Sequence, residues 1–244
     1  AISKTVQARI KKYYRRDSMV IYPPVIDLGN ESRHFSAATE TSREAIDTIG
    51  PKAKSNADQR GEIRGGRITH GGVIRPDPAA GSDGSSFYLI VSRLYEHKNV
   101  EIAVQAFNKL GYPLIIIGEG PEKKRLEKMA SKNIIFLGRQ DDEVVAEYYR
   151  SATAFIMPQE EDFGLTPLEA MSFGTPVIAL RKGGATETLI EGLTGEFFDD
   201  PIPEGLADAV RRFRDGHYDP EKIKARAKEF SIQNFKKEIA AALQ

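Results

Sequence analysis

The stretch FYLIVSRLYEHKNVEIAVQAFNKLGYPLIIIGEG, residues 87–120, shows the pattern that decides the fold. An apolar, β-branched run is followed by a segment with apolar residues at helical spacing, and then by a second apolar run. The alternation continues through NIIFLGR (133–139), TAFIMP (153–158), TPVIALR (175–181) and GEFFDD (195–200). Continuous hydrophobic strands that are each followed by a helix are typical of parallel sheets covered on both faces. The pattern therefore predicts an α/β fold with a doubly wound parallel sheet.

The composition narrows the class of protein and of partner. The chain has 244 residues, 40% hydrophobic and 29% charged, and no apolar run approaches the roughly 18 residues that span a bilayer. Its formal charge is zero, which argues against nucleic acid as the main partner. The absence of cysteine excludes disulfides, thiolate metal sites and cysteine nucleophiles, and it fits a cytoplasmic setting, including the inner face of the membrane.

The chain divides into three parts: 1–25, 26–86 and 87–244. The first part predicts a helix capped by Ser3, with a basic face, and a short strand at 19–25. An ordinary surface helix explains that basic face, and peripheral contact with a membrane or with acceptor phosphates is the alternative. Residues 26–86, rich in Gly, Ser, Ala, Asp and Arg, predict a long flexible insert. Because the chain begins with alanine instead of methionine, we expect it to be part of a longer protein.

The stretch QEEDFGLTPLEAMSFG, residues 159–174, predicts a ligand site at the carboxyl edge of the sheet. Thr166 followed by Pro167 indicates a helix start directly after a strand and its loop. The free amides at such a start, together with the helix dipole, favour an anion such as phosphate, and Gly164 allows the backbone to approach it closely.

Two glutamates flank this predicted phosphate site. Glu169 fits a capping box with Thr166, which is its structural alternative to a binding role. Glu161 lies in the loop, where a carboxylate does not attract an anion but can accept hydrogen bonds from hydroxyl groups. The pair therefore predicts sugars on either side of a phosphate.

A second anion-binding element follows the first strand of the sheet. SRLYEHKN, residues 92–99, places Arg93 and Lys98 on one strand-to-helix loop, and Asn99 is a candidate cap for the next helix. A guanidinium and an ammonium at a strand end suit a diphosphate, whereas two solvated surface cations are the simpler alternative.

These motifs resemble the donor-binding C-terminal domain of retaining glycosyltransferases of family 4, which have the two-domain, Rossmann-like GT-B fold. The resemblance covers Phe87 to the end and, more weakly, Ser3 to Val25, a remnant of the acceptor domain. It depends on SRLYEHKN, the glycine turn GEGP (118–121), EDFGLTPLE (161–169) and GTPVIA (174–179) followed by two glycines.

The resemblance implies a role for most of the residues above. Arg93 and Lys98 would bind the diphosphate and stabilise the departing nucleotide. Glu161 would hold hydroxyls of the transferred hexose and Glu169 those of the ribose. These assignments make Glu161, Arg93 and Lys98 the candidate catalytic residues. Positioning of the sugar is the favoured role for Glu161, and action as a nucleophile is the alternative.

The remaining donor-binding candidates lie in the surrounding turns. By the same resemblance, the amides of Phe163, Gly164 and Leu165 would contact sugar and phosphate. Arg139 and Gln140 would begin the loop that contacts the base. The last two candidates, at the helix start and in the glycine turn, are Thr166 and Gly118.

The function implied is transfer of a hexose, with retention, to a lipid-linked or polysaccharide acceptor. Likeness to mannosyltransferases makes GDP-mannose the first candidate donor and UDP-glucose the second. No metal or other cofactor is expected. Because most of the acceptor domain is missing, we expect this chain to bind donor without efficient transfer.

Two alternatives remain open at this stage. One is a non-catalytic nucleotide-binding module that acts with a partner subunit. The other is a dehydrogenase, which is disfavoured because GEGPEK, residues 118–123, lacks the third glycine of G-x-G-x-x-G.

Overall fold

The computed structural model describes residues 1–25, 66–68, 74–76, 86–213 and 217–244. The insert predicted for residues 26–86 therefore lies outside the described residues, apart from two short strands and its last residue. These strands, β1 (Gly66–Ile68) and β2 (Ile74–Pro76), pair with each other in antiparallel register.

Six parallel strands form the main sheet, in the spatial order β5-β4-β3-β6-β7-β8. The strands are β3 (Tyr88–Val91), β4 (Leu114–Ile117), β5 (Ile134–Gly138), β6 (Ala154–Met157), β7 (Val177–Leu180) and β8 (Gly195–Phe198). The described helices are α1 (Lys4–Tyr14), α2 (Val100–Leu110), α3 (Lys123–Met129), α4 (Asp142–Ser151), α5 (Leu165–Ser172), α6 (Ala185–Thr188), α7 (Pro203–Arg212), α8 (Pro220–Lys228) and α9 (Ile232–Ala242). The alternation of strand and helix predicted from the sequence is confirmed.

Both faces of the sheet are buried, which explains why its strands are apolar without alternation. Successive side chains of a strand point to opposite faces, so Leu89 enters one hydrophobic cluster while Tyr88 and Ile90 enter the other. Helices α4, α5 and α8 cover the first face, and α2, α3 and α7 cover the second. Each fully buried Leu or Ile contributes roughly 1.5–3 kcal/mol of transfer free energy to this doubly wound arrangement.

The strand order reverses at β3, and this reversal places the candidate site. The chain runs from β3 outward to β4 and β5, and then returns to β6 on the other side of β3. Ligands in open α/β sheets bind where two neighbouring strands send their carboxyl-end loops in opposite directions. The loops at residues 92–99 and 158–164 leave β3 and β6 at this point.

The N-terminal segment packs against the end of the chain. Ser3 caps α1 as predicted, since its hydroxyl accepts a hydrogen bond from Val6 N at 3.1 Å. The strand predicted at 19–25 is wrong: these residues have no regular structure. Val25 N donates a single hydrogen bond to Phe230 O at 2.8 Å, and the two prolines before Val25 have no N–H to extend a ladder.

Candidate functional site

The loops that follow β3 and β6 meet through an ion pair. Lys98, at the end of a short 3₁₀ turn (Glu96–Lys98), donates from Nζ to Oε1 of Glu161. The Lys98 side chain is only 12% exposed and that of Glu161 is 27% exposed. Two residues 63 positions apart in sequence, both predicted to bind the donor, therefore lie in direct contact at the switch point.

A glutamine supplies a second donor to the same carboxylate oxygen. Nε2 of Gln159 lies 3.1 Å from Oε1 of Glu161, and the Gln159 residue is 5% exposed. Sequence reasoning missed Gln159, because a glutamine before two acidic residues looks like part of a solvated loop. Its position directly after the buried strand β6 and Pro158 was the signal that could have revealed it.

Two glycines, Gly183 and Gly184, pack against the backbone of the loop that contains Glu161. Gly184 N donates to Glu161 O at 2.8 Å. A Cβ at Gly184 would lie 2.2 Å from Phe163 O, and a Cβ at Gly183 would lie 2.2 Å from Glu161 O, so neither position admits a side chain. This close contact is the physical reason for the paired glycines after β7.

Phe163 anchors the loop with its ring, and its amide nitrogen has no hydrogen-bond partner among the described residues. The ring is buried between Tyr22, with centroids 5.5 Å apart, and Phe230, with centroids 5.7 Å apart. Among the residues that the structure describes, the amide nitrogens of Phe163 and Gly164 have no hydrogen-bond partner. The loop therefore carries two available donors next to Glu161.

The start of α5 differs from the prediction. The helix begins at Leu165 with Gly164 as its N-cap residue, so Pro167 is the third helical residue instead of the first. No side chain caps α5, so the predicted capping box of Thr166 and Glu169 is wrong. Gly164 adopts φ 86°, a conformation that favours glycine, and this turn lets the helix start earlier than the Thr-Pro pair suggested.

Glu169 instead lies in a partly buried site beside α4. The Tyr149 hydroxyl donates to Oε2 of Glu169 at 3.0 Å, and Tyr149 itself is fully buried. Burial raises the pKa of the Glu169 carboxyl and the nearby charge of Asp142 adds to the increase, while the hydrogen bond from Tyr149 opposes it. This environment favours the protonated form of Glu169 at a higher pH than usual.

Arg93 lies on the same loop as Lys98 but in a different setting. It is exposed, and its guanidinium carbon lies 5.7 Å from the centroid of the Tyr95 ring. Asn99 occupies the N-cap position of α2 with φ 52°, and its side chain makes no capping hydrogen bond, contrary to our expectation. Of the two predicted cations, the structure brings only Lys98 into contact with a predicted sugar-binding residue.

The glycine turn has a packing role that the structure makes clear. Gly118 has φ 140°, and a Cβ there would lie 1.9 Å from Ser92 O, so the end of β4 fits tightly against the β3 loop. Gln140 Nε2 donates to Leu137 O at 2.8 Å, and Arg139 is exposed. Within the described part of the chain, no hydrogen bond or ion pair joins these two residues to Glu161.

The N-terminal helix contacts the outer side of the site, which sequence reasoning also missed. Arg9 on α1 pairs with Glu160 at 3.3 Å and with Asp162, all with side chains about half exposed. The carboxylate of Glu187 accepts from the first-turn amides of α1, Lys4 N at 2.8 Å and Thr5 N at 3.2 Å. These contacts attach α1 to the loop that follows β6 and to the short helix α6.

The described residues contain neither a membrane-spanning helix nor a cluster of metal ligands. No described helix combines the length and apolar character that crossing a bilayer requires. No cluster of three or more potential metal ligands among His, Cys, Asp and Glu occurs in the ranges that the structure describes.

Comparison with known proteins gives the family of the chain and one curated relative. The family model described as "Glycosyl transferases group 1" matches residues 77–230, more than half of the chain. An uncharacterized glycosyltransferase of Methanocaldococcus jannaschii is 26% identical over 185 residues, 74% of this chain and 52% of that protein. The chain thus spans about half the length of this relative.

Two solved structures share the fold. Sucrose-phosphate synthase of Thermosynechococcus elongatus matches with a TM-score of 0.67 and 20% identity, covering 100% of this chain and 56% of that one. Anabaena HepE in complex with UDP-glucose matches with a TM-score of 0.58 and 22% identity, covering 68% and 50%. The fold is that of GT-B glycosyltransferases, and by its family match this chain belongs to the glycosyl transferases of group 1.

Proposed function

We propose that this chain binds a nucleoside diphosphate sugar at the switch point between β3 and β6 and contributes to transfer of its hexose. The observation that carries the proposal is the contact of Lys98 with Glu161 beside the free amides of Phe163 and Gly164. A cation and two amide donors suit a diphosphate, and an adjacent carboxylate suits sugar hydroxyls. Family membership supports the reaction class.

The proposed chemistry follows from where charge develops. The bond between the anomeric carbon and the diphosphate oxygen breaks, and its electron pair leaves with the diphosphate. The acceptor hydroxyl oxygen forms the new bond on the same face of the sugar, and its proton passes to the diphosphate oxygen that departs. Lys98, Arg93 and the loop amides stabilise the anionic leaving group, as fixed donors do in oxyanion sites. In this proposal no metal is required.

The finer assignments rest on the resemblance and are part of the same proposal. GDP-mannose is the first candidate donor, and UDP-glucose, the ligand in the HepE structure, is the second. A lipid-linked or polysaccharide acceptor and a complementary acceptor domain complete the reaction. The exposed segment KKYYRR (11–16), whose tyrosines are 68% and 75% exposed, is the proposed point of peripheral contact with an anionic surface.

Calorimetric titration tests the donor site. GDP, UDP, GDP-mannose and UDP-glucose are titrated into the wild type, Lys98→Ala and Arg93→Ala. We expect each substitution to weaken binding of the nucleoside diphosphate about 10- to 100-fold, because a charge-assisted hydrogen bond contributes roughly 1.5–3 kcal/mol.

Lys109→Ala is the matched control, since Lys109 is an exposed lysine in the last turn of α2 that pairs with Glu204. Unchanged affinity in both the Lys98 and the Arg93 variants would contradict the proposal. Tight binding of the sugar nucleotide, without transfer even when an acceptor domain is supplied, would favour the non-catalytic nucleotide-binding module.

A further inference from the structure

Gln159 is a buried polar residue whose two ends have different surroundings. Nε2 donates to Oε1 of Glu161 at 3.1 Å. The amide oxygen is buried and has no hydrogen-bond partner among the residues that the structure describes. A buried acceptor without a donor reduces stability.

The chemistry of the two groups fixes the orientation of this amide. An ionised carboxylate only accepts hydrogen bonds, whereas an amide has one donating and one accepting end. Turning the Gln159 amide over would place two oxygen atoms against each other. The contact with Glu161 therefore keeps the NH₂ group toward the carboxylate and the carbonyl in the protein interior.

Gln159 and Lys98 donate to the same oxygen of Glu161. Both hydrogen bonds end on Oε1, one from an ammonium and one from an amide. Oε2 has no hydrogen-bond partner in the described ranges, and the Glu161 side chain is 27% exposed. Two donors converging from different directions restrain the plane of the carboxylate and leave its second oxygen available.

We propose that Gln159 is a positioning residue that orients Glu161 so that Oε2 receives a hydroxyl of the transferred sugar. This inference rests on the proposed function and extends it to a residue that does not touch the substrate. A small change in the orientation of Glu161 would affect the sugar but leave the diphosphate contacts of Lys98 and the loop amides in place. Gln159 should therefore act on the sugar nucleotide selectively.

Gln159→Met tests the inference, because methionine has a similar length and volume but no donor. The readout is the ratio of the dissociation constants for the bare nucleoside diphosphate and its sugar nucleotide, measured for GDP with GDP-mannose and for UDP with UDP-glucose. We expect the dissociation constant of the bare nucleoside diphosphate to change less than about twofold. The ratio of this constant to that of the sugar nucleotide should fall about 5- to 10-fold. The melting temperature should stay equal or rise, because the variant also removes a buried acceptor without a partner.

Two further variants make the result specific. In a Glu161→Ala background, Gln159→Met should have no additional effect on the ratio, because Gln159 acts only through Glu161. Gln105→Met is the matched control, since Gln105 makes a comparable hydrogen bond to Glu101 on α2, at 2.9 Å. Gln159→Leu replaces Gln159→Met if the latter does not fold.

Three results would overturn the inference. The first is a ratio of dissociation constants in Gln159→Met equal to that of the wild type. The second is an equal effect of Gln159→Met on this ratio in the wild type and in the Glu161→Ala background. The third is a fall in melting temperature together with equal losses for both ligands, which would make Gln159 a structural residue. A wild type that binds none of these nucleotides would instead refute the proposed function itself.

Discussion

The loop after β6 and the helix that follows it each hold one of the two candidate glutamates, Glu161 and Glu169, and the two carboxylates have different surroundings. Glu161 in the loop is paired with a lysine and accepts a second hydrogen bond from Gln159. Glu169 in α5 has a tyrosine hydroxyl as its partner, and burial raises its pKa. Two carboxylates eight positions apart in sequence thus differ in their partners: Glu161 pairs with a cation, and Glu169 accepts from a neutral hydroxyl.

The two carboxylates have a similar hydrogen-bonding arrangement, and they differ in whether a cation pairs with them. Each has one oxygen that accepts from a buried protein donor, Gln159 or Tyr149, and a second oxygen with no described partner. Both are therefore suited to accept a hydroxyl, but of the two only Glu161 has a cation as a partner among the described residues. In the proposed site, Glu161 is therefore assigned to the side of the diphosphate and Glu169 to a position farther from it.

The largest expected effect on stability comes from removing Lys98, the cation that pairs with Glu161. Lys98→Met should lower the free energy of unfolding by about 1–3 kcal/mol, because it leaves a partly buried carboxylate without its ion pair. Urea denaturation measures this difference. Adding Glu161→Gln should restore part of the loss, since the unpaired charge is then gone.

Lys109→Met provides the control for this prediction. Its ion pair with Glu204 has side chains 57% and 58% exposed, so the expected change is below about 1 kcal/mol. If Lys98→Met and Lys109→Met lowered the free energy of unfolding equally, the ion pair of Glu161 would be no stronger than an exposed surface pair.

Substitution of Glu169 is expected to have a smaller effect on the free energy of unfolding, and this effect depends on pH. The folded pKa of Glu169 is raised above its ordinary value of 4.5, so the folded state retains a proton that the unfolded chain releases. The stabilisation is complete below pH 4.5 and is lost as the pH rises through the folded pKa. The free energy of unfolding of Glu169→Gln, relative to the wild type, should therefore increase with pH across this window.

Urea denaturation at a series of pH values checks the sign. Glu191 is the control of opposite sign, because the hydrogen bond from Arg181 holds its pKa below the usual range. Glu191→Gln should lose stability relative to the wild type as the pH rises. If the free energy of unfolding of Glu169→Gln relative to the wild type did not change between acidic and neutral pH, the proposed contrast between Glu161 and Glu169 would be wrong.

Much of this arrangement was predictable because it follows from local pattern. Apolar runs predicted six strands, and the rule for open α/β sheets placed Lys98 and Glu161 at one edge of the sheet from the sequence alone. The helix start was placed less well, because Gly164 at φ 86° begins α5 before the Thr-Pro pair. Turn conformation of this kind depends on packing that the local sequence does not encode.

Two supporting residues, Tyr149 and Tyr22, were not predictable, because each comes from a distant part of the chain. Tyr149 lies on α4 and reaches Glu169 only because α4 and α5 pack on one face of the sheet. Tyr22, 141 positions before Phe163, stacks on its ring from the N-terminal segment. Such long-range contacts depend on the fold as a whole.

The most direct test of the central claim compares the two glutamates with two ligands. Glu161→Ala and Glu169→Ala are each titrated with a nucleoside diphosphate and with its sugar nucleotide. We predict that Glu161→Ala weakens the sugar nucleotide about 10-fold more than the bare nucleotide, whereas Glu169→Ala weakens both equally, because both ligands contain the ribose. Equal losses in Glu161→Ala, or a sugar-dependent loss in Glu169→Ala, would contradict the assignment of hexose to one carboxylate and ribose to the other.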